Sequence, residues 1–153
     1  MAGGAGLAIV CDFTLATPQA EFAFTEARIG FVPALVSAYL ALQIGDKRSR
    51  DLLLTARRLS AVDAHRIGLV NEIVPEESLA QRSVGLAREL LQNSPESLRA
   101  TKRLMAAQNK TWLDTAVEAA MEANARARGT DDFREGISAF LEKRRPSWTD
   151  RTD

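Results

Sequence analysis

The feature that most constrains this chain is a change of pattern at about residue 75. Before it, short β-prone runs alternate with helical segments; beyond it, apolar residues recur every three or four positions, as in the stripe of Leu79, Leu86 and Leu90. That spacing places apolar side chains on one face of a helix, whereas a strand needs a period of two. We therefore predict an α/β chain with two parts, an α/β core in residues 1–75 and a helical region in residues 76–153.

The core is expected to begin with a buried helix followed by two short strands. The pair Gly3–Gly4 precedes the small and apolar run "AGLAIVC", which predicts a helix whose first turn comes close to another backbone and which ends at Asp12. The β-prone runs "FTLA" and "EFAF" flank the turn-like "PQA", so strands are expected over 13–16 and 21–24. Glu26 would then lie directly at the end of the second strand.

The remaining elements are predicted from start and stop signals or from apolar stripes. Within the core we predict a helix over 35–44 stopped by Gly45, a helix from Asp46 to Leu54 capped by Asp46, and a helix begun by the capping box Ser60/Asp63 and ended by Gly68. A strand is expected next, over 69–74. In the helical region, separate helices are marked by the stripe at 79–90, the pair Ser94–Pro95, the stripe at 113–121 and the stripe at 133–141, with Gly129 between the last two.

Composition narrows the function classes. Twenty Lys and Arg residues balance twenty Asp and Glu residues, so no net field would attract nucleic acid or an anionic membrane surface. No apolar run is long enough for a membrane span. With one cysteine, Cys11, and one histidine, His65, neither a disulfide framework nor a Cys/His metal site is expected. We predict a reducing, cytoplasmic location.

Two groups are candidates for chemistry. The backbone N–H groups after Gly3–Gly4 could stabilise a phosphate or an oxyanion, although adjacent glycines more often serve packing alone. Glu26, with Phe24 and Phe31 nearby, could have its charged form disfavoured and so transfer protons. The alternative is a solvated glutamate paired with Arg28, which on general frequencies is the more common case.

Four segments together resemble the crotonase superfamily, the enoyl-CoA hydratase/isomerase family. They are "AGGAGLAIVCDFTLATPQAEFAFTEARIGFVPA", "LTARRLSAVDAHRIGLVNEIVP", "SPESLRATKRLM" and "TDDFREGISAFLEKRRPSW". The resemblance implies a crotonase-like β-β-α spiral in residues 1–75, of which this chain looks like the C-terminal part, followed by a helical trimerisation region in residues 76–153. Family members are nearly twice as long, so a truncated reading frame or a split gene is expected.

The resemblance also implies a set of site residues. Gly3 matches the glycine whose backbone N–H is the second oxyanion donor, and Glu26 matches the strand-end catalytic glutamate. At the position of the family's other catalytic acid this chain has Gly6. The substrate implied is an acyl-CoA thioester, with no metal and no cofactor apart from the CoA of the substrate itself. The further substrate contacts implied are Gly4, Pro33, Phe140 and Lys143, with Lys143 near a phosphate of CoA.

With Gly6 in place of one acid, the reaction stays open at the level of sequence. Hydration of a 2-enoyl thioester is usually drawn with two carboxylates holding one water, whereas a double-bond shift needs only one base. The motifs nevertheless resemble proteins called hydratases. A different class of function is also open: an inactive crotonase-like fragment that binds acyl-CoA or promotes oligomerisation, since the other oxyanion donor of the family lies upstream of the glycines.

Overall fold

The structure is a computed structural model and describes residues 3–150. Its helices and strands follow the order α1 (Gly3–Ile9), β1 (Leu15–Ala16), β2 (Glu21–Phe22), α2 (Ala34–Ile44), α3 (Asp46–Thr55), β3 (Leu59–Ser60), α4 (Ala61–Arg66), β4 (Glu72–Ile73), α5 (Glu76–Leu91), α6 (Pro95–Ala127) and α7 (Asp131–Leu141). Two short 3₁₀ helices complete the chain, Glu26–Ile29, called the Glu26 turn below, and Ser147–Asp150.

The strands are shorter than predicted and pair in two separate two-stranded sheets. β1 runs parallel to β4, and β2 runs antiparallel to β3. The predictions of strands over 13–16, 21–24 and 69–74 are therefore wrong in extent. An extended run becomes a strand only where a neighbour satisfies its backbone groups, and these runs find partners at two residues each.

The helix predicted after the glycine pair is present as α1, but it ends at Ile9 and not at Asp12. One face is buried by Ala5 and Ile9, which are 3% and 2% exposed. The other face is open at Leu7, which is 67% exposed. The expectation of a buried helix is thus met on one side only.

The apolar core lies where α1, α2, α3 and α4 meet the strands. Its larger members are Ile9, Phe22, Phe24, Leu40, Ile44, Leu52, Leu59, Leu69 and Val70. Removing a side chain such as Phe24 or Leu40 from water contributes about 1.5–3 kcal/mol each. Phe24 lies just before the Glu26 turn and Leu40 lies on α2 just after it, so the turn is attached to the core at both ends.

Helix boundaries follow the predicted signals more closely than strand boundaries do. Ser60 caps α4 by accepting a hydrogen bond from the Asp63 N–H at 3.1 Å, as the capping box predicted. Gly45, with φ of 80°, separates α2 from α3. Asp46 is the first residue of α3 and not its cap, because Gly45 occupies the N-cap position.

The helical region contains one long helix where two were predicted. Ser94 caps α6 and Pro95 is its first residue, as expected, but the helix then continues for 33 residues to Ala127. No glycine or further proline interrupts "ESLRATKRLMAAQNKTWLDTAVEAAMEANARA", and its many alanines favour a continuous helix. Within the described part of the chain, no helix is both long and apolar enough to cross a membrane.

Candidate active site

Glu26 opens the 3₁₀ helix that follows β2, four residues beyond the last paired residue, Phe22. The prediction that it lies at the end of a strand is therefore wrong in detail. Strand pairing stops at Phe22, and Thr25, with φ −99° and ψ 8°, bends the chain out of the extended region. Gly30, with φ of 66°, ends the turn in a left-handed conformation that glycine adopts without steric cost.

The carboxylate of Glu26 is the most unusual polar group in the described chain. Its Oε2 atom is buried, and within residues 3–150 it has no hydrogen-bond partner. A buried polar atom without a partner costs about 1–3 kcal/mol, so proteins retain such atoms for a reason. An acceptor that is held dry and free of other bonds is available to take and return a proton.

The alternative in which Glu26 pairs with Arg28 is not what the structure has. The Nη2–H of Arg28 donates instead to the carbonyl oxygen of Ala56 at 2.7 Å, at the end of α3. Among the residues described, none of the ion pairs includes Glu26. The guanidinium therefore fastens the Glu26 turn to α3 and leaves the carboxylate free.

The glycines of α1 are arranged differently from the sequence expectation. A Cβ atom on Gly4 would meet no described atom within 4 Å, so the close backbone approach predicted there is not seen in residues 3–150. A Cβ atom on Gly6 would lie 3.5 Å from Cγ2 of Val36 on α2, which is an ordinary contact. Gly3 begins the helix. Gly6 lies within α1, a helix that contains no acidic residue.

Pro33 is the N-cap residue of α2 and lines a groove between α2 and α6. The groove has a volume of about 280 Å³, and its far wall consists of alanines of α6. A larger groove of about 540 Å³ lies further along the same two helices, beside Leu35 and Met121. Glu26 lines neither groove. The structure thus places Pro33 at a cleft that does not include the carboxylate.

Phe140 and Lys143 lie at the C-terminal end of α7. The ring of Phe140 is 69% exposed, and Lys143, just beyond the helix, has a left-handed backbone with φ of 55°. The next residue, Arg144, binds Glu135 through two hydrogen bonds of 2.6 and 2.8 Å. Hydrogen bonds from Arg144 and from the Ser147 N–H lower the pKa of Glu135 to about 2. This cluster folds residues beyond Lys143 back onto α7.

Sequence reasoning missed three residues around the Glu26 turn: Arg28 as its attachment to α3, and Gly30 and Gly136 at its contact with α7. A signal for Gly136 was present, because glycine inside a helix costs about 1 kcal/mol relative to alanine and so suggests close packing. The residues around Gly136 do not, however, indicate which segment it packs against. Among the residues described, no group of three or more His, Cys, Asp and Glu side chains could hold a metal ion.

Solved structures share this fold. An enoyl-CoA hydratase from Mycobacterium avium superposes with a TM-score of 0.86 at 37% sequence identity, covering 96% of this chain and 58% of that one. An enoyl-CoA hydratase/isomerase from Pseudoalteromonas atlantica gives a TM-score of 0.86 at 28% identity, covering 95% of this chain and 59% of that one. These matches confirm the predicted crotonase-like α/β fold.

The sequence comparisons agree. The family model described as enoyl-CoA hydratase/isomerase matches residues 1–151. A Thermus thermophilus protein whose name places it among the enoyl-CoA hydratases is 45% identical over 146 residues, which are 95% of this chain and 58% of that protein. The chain belongs to the enoyl-CoA hydratase/isomerase family of the crotonase superfamily. It spans little more than half the length of the curated relatives it matches.

Proposed function

We propose that this chain acts on acyl-CoA thioesters as an enoyl-CoA hydratase/isomerase-type enzyme, with Glu26 as the general acid and base. The observation that supports this most is the buried Oε2 of Glu26, which has no partner in residues 3–150. A carboxylate already used in an ion pair would have to break that pair before accepting a proton. Glu26 has no such pair to break within the described chain, because Arg28 is bound to Ala56.

In the proposed chemistry, Glu26 carries the proton and backbone N–H groups carry the charge. Removing a proton from C2 of a 3-enoyl thioester leaves an enolate, whose negative charge lies largely on the thioester oxygen. The N–H of Gly3 is proposed as one donor to that oxygen, and such a donor lowers the barrier by about 2.7–4 kcal/mol in comparable sites. Protonated Glu26 then returns the proton to C4, so the double bond moves and the enzyme is regenerated.

The choice between reactions depends on α1. Hydration adds water across C2 and C3 and is served by two carboxylates, whereas the double-bond shift is complete with one. Since Gly6 provides no second carboxylate, the shift of a 3-enoyl-CoA is the reaction better matched to this site. The Thermus and Mycobacterium avium relatives are named hydratases, so hydration of a 2-enoyl-CoA is the reaction to be compared with the double-bond shift.

The substrate contacts at Gly4, Pro33, Phe140 and Lys143 remain proposals, as does assembly into a trimer or a dimer of trimers. For Phe140, support comes from its exposure at the end of α7. Pro33 lines a groove that does not include Glu26, so its proposed contact rests on the family resemblance alone. Lys143 would supply a positive charge for a phosphate of CoA. No redox cofactor or metal ion takes part in the proposed chemistry.

A second function is favoured by a specific observation. Because the chain covers 58% of the Thermus relative, part of the relatives' length has no counterpart in it. Together with Gly6 at the position of the first acid, this supports a module that binds acyl-CoA or oligomerises without turnover.

The two functions are separated by measuring binding and turnover on the same sample. Isothermal titration calorimetry with a saturated acyl-CoA reports binding, and the ultraviolet absorbance of the conjugated enoyl thioester reports both reactions, falling on hydration of a 2-enoyl-CoA and rising on isomerisation of a 3-enoyl-CoA. Turnover of either substrate supports the enzyme. Binding without turnover supports the acyl-CoA-binding module, and the absence of both binding and turnover contradicts the enzyme and that binding module alike.

A further inference from the structure

Helix α7 contacts the Glu26 turn backbone to backbone, without side chains between them. A Cβ atom on Gly136 of α7 would lie 2.2 Å from the carbonyl oxygen of Ile29 and 2.3 Å from its carbonyl carbon. In return, a Cβ atom on Gly30 would lie 2.2 Å from the carbonyl oxygen of Asp132. Each element thus presents a glycine to the main chain of the other, and neither position has room for any side chain.

An aromatic pair continues this contact. The rings of Phe31 and Phe133 have centroids 5.1 Å apart at an angle of 41°, a tilted arrangement that aromatic pairs favour. The N–H of Phe31 donates to the carbonyl oxygen of Glu26 at 3.0 Å. Phe133 is therefore linked to the main chain of Glu26 through one ring contact and one hydrogen bond.

The first turn of α7 is itself anchored. Thr130 caps the helix by accepting a hydrogen bond from the Phe133 N–H at 3.2 Å, and its hydroxyl donates to the carbonyl oxygen of Ala127 at the end of α6. On the opposite side, the Glu26 turn is attached to α3 by Arg28. The turn is consequently held between α7 and α3, while the carboxylate of Glu26 has no partner of its own among the described residues.

We propose that α7 positions the catalytic glutamate, with Gly136 and Gly30 as positioning residues that act through the main chain of the Glu26 turn. A carboxylate without hydrogen bonds has its direction set only by the backbone that carries it and by the packing of its stem. A shift of the turn is then a shift of the proton-transfer group, and a displacement of 1 Å in such a group can cost about a hundredfold in rate. The catalytic part of this inference rests on the proposed function.

The test is Gly136→Ala in the full chain, with Gly85→Ala as its matched control. At Gly85, inside α5, an added Cβ would meet only the end of the Arg82 side chain at 3.5 Å. The same methyl group is thus added to a helix in both variants, but only Gly136→Ala pushes against the main chain of Ile29. Movement of a neighbouring side chain cannot relieve this clash, because the atoms that the methyl group meets belong to the backbone.

Two structural readouts do not depend on turnover. Amide hydrogen exchange at Phe31 and Gly30 reports the hydrogen bonds that close the turn, to Glu26 and Ala27 respectively. The ¹³C resonance of the Glu26 carboxyl group reports the surroundings of the carboxylate. We expect Gly136→Ala to speed both exchange rates by about tenfold or more and to move the resonance, while Gly85→Ala leaves both unchanged.

Kinetics then test the catalytic consequence. We expect Gly136→Ala to lower kcat by up to about a hundredfold, since the proton-transfer group is displaced, whereas any change in KM reports the proposed substrate contact Phe140, which α7 also carries. If Gly136→Ala fails to fold, Phe133→Leu replaces it as the test. This variant keeps both glycine contacts but removes the ring contact, so we expect smaller changes in the same direction in the exchange rates, the Glu26 resonance and kcat.

The outcomes separate this inference from the proposed function. If the turn's exchange rates and the Glu26 resonance are unchanged in Gly136→Ala, or in Phe133→Leu where that variant decides, the positioning role is overturned. The positioning role is also overturned if the exchange rates and the Glu26 resonance change while kcat stays at the parent value. If the parent chain shows no turnover, the proposed function fails, while a Glu26 resonance that moves in Gly136→Ala and not in Gly85→Ala still supports positioning by α7.

Discussion

The buried oxygen of Glu26 implies that this residue lowers the stability of the fold in which it sits. Its Oε2 atom has no partner within residues 3–150, and its side chain is half-buried beside the core residue Phe24. Replacing Glu26 by methionine keeps an unbranched side chain of similar length and removes the carboxylate. The variant is therefore expected to be more stable than the parent.

The size of the effect follows from the burial. A fully buried, unsatisfied polar group costs about 1–3 kcal/mol. Because the Glu26 side chain as a whole is only half-buried, the lower end of that energy range applies. We therefore expect Glu26→Met to raise the free energy of unfolding by about 1 kcal/mol. For a chain of this size that corresponds to an increase in Tm of about 2–4 °C.

Urea unfolding followed by circular dichroism measures this directly. A higher midpoint with an unchanged slope shows a gain in stability rather than a change in the unfolded state. Glu118→Met is the control, because Glu118 is an exposed residue of α6, and its replacement should change stability by less than about 0.5 kcal/mol. If Glu26→Met lowers the midpoint below that of the control, the carboxylate is satisfied in the protein and the reasoning is refuted.

Three further predictions concern the supports of the site. Arg28→Met should lower the free energy of unfolding by about 1–3 kcal/mol in urea titrations, because the carbonyl of Ala56 loses its donor at 2.7 Å; an unchanged midpoint would contradict it. Ser60→Ala should cost about 0.5–2 kcal/mol through loss of the α4 cap, measured the same way against Ser97→Ala. The pKa of Glu135 is about 2 in the folded chain, so its stabilising effect is complete above pH about 4.5 and is lost as the pH falls toward 2; Glu135→Gln should flatten this acid dependence, and an equally steep curve would contradict the prediction.

Features governed by neighbouring residues could be predicted from the sequence. The capping box at Ser60 and the Ser94–Pro95 start of α6 were both predicted and both confirmed. Each depends on contacts within one helical turn, which the sequence specifies directly. Gly129 was likewise correctly placed between α6 and α7. The sequence also singles out Glu26 as the candidate carboxylate, because it lies among apolar residues.

Features governed by distant contacts could not be predicted. The three strands came out shorter than expected because their extent depends on partners far along the chain, such as β1 with β4. Separate helices are predicted where α6 is continuous, because the Ser94–Pro95 start and the stripe at 113–121 do not show by themselves that one helix joins them. The docking of Gly136 on Ile29 joins residues more than a hundred positions apart, so no local pattern names the pair.

The central claim is that Glu26 carries the proton, and Glu26→Gln tests it most directly. The amide keeps the shape of the side chain but cannot accept and return a proton at the working pH. Glu21→Gln is the matched control, since Glu21 is an exposed glutamate of β2 paired with Arg58. Measured as kcat on 2-enoyl-CoA and 3-enoyl-CoA, Glu26→Gln should lose about 10²–10⁴-fold while Glu21→Gln keeps the parent value. Turnover by Glu26→Gln at the parent rate would contradict the account.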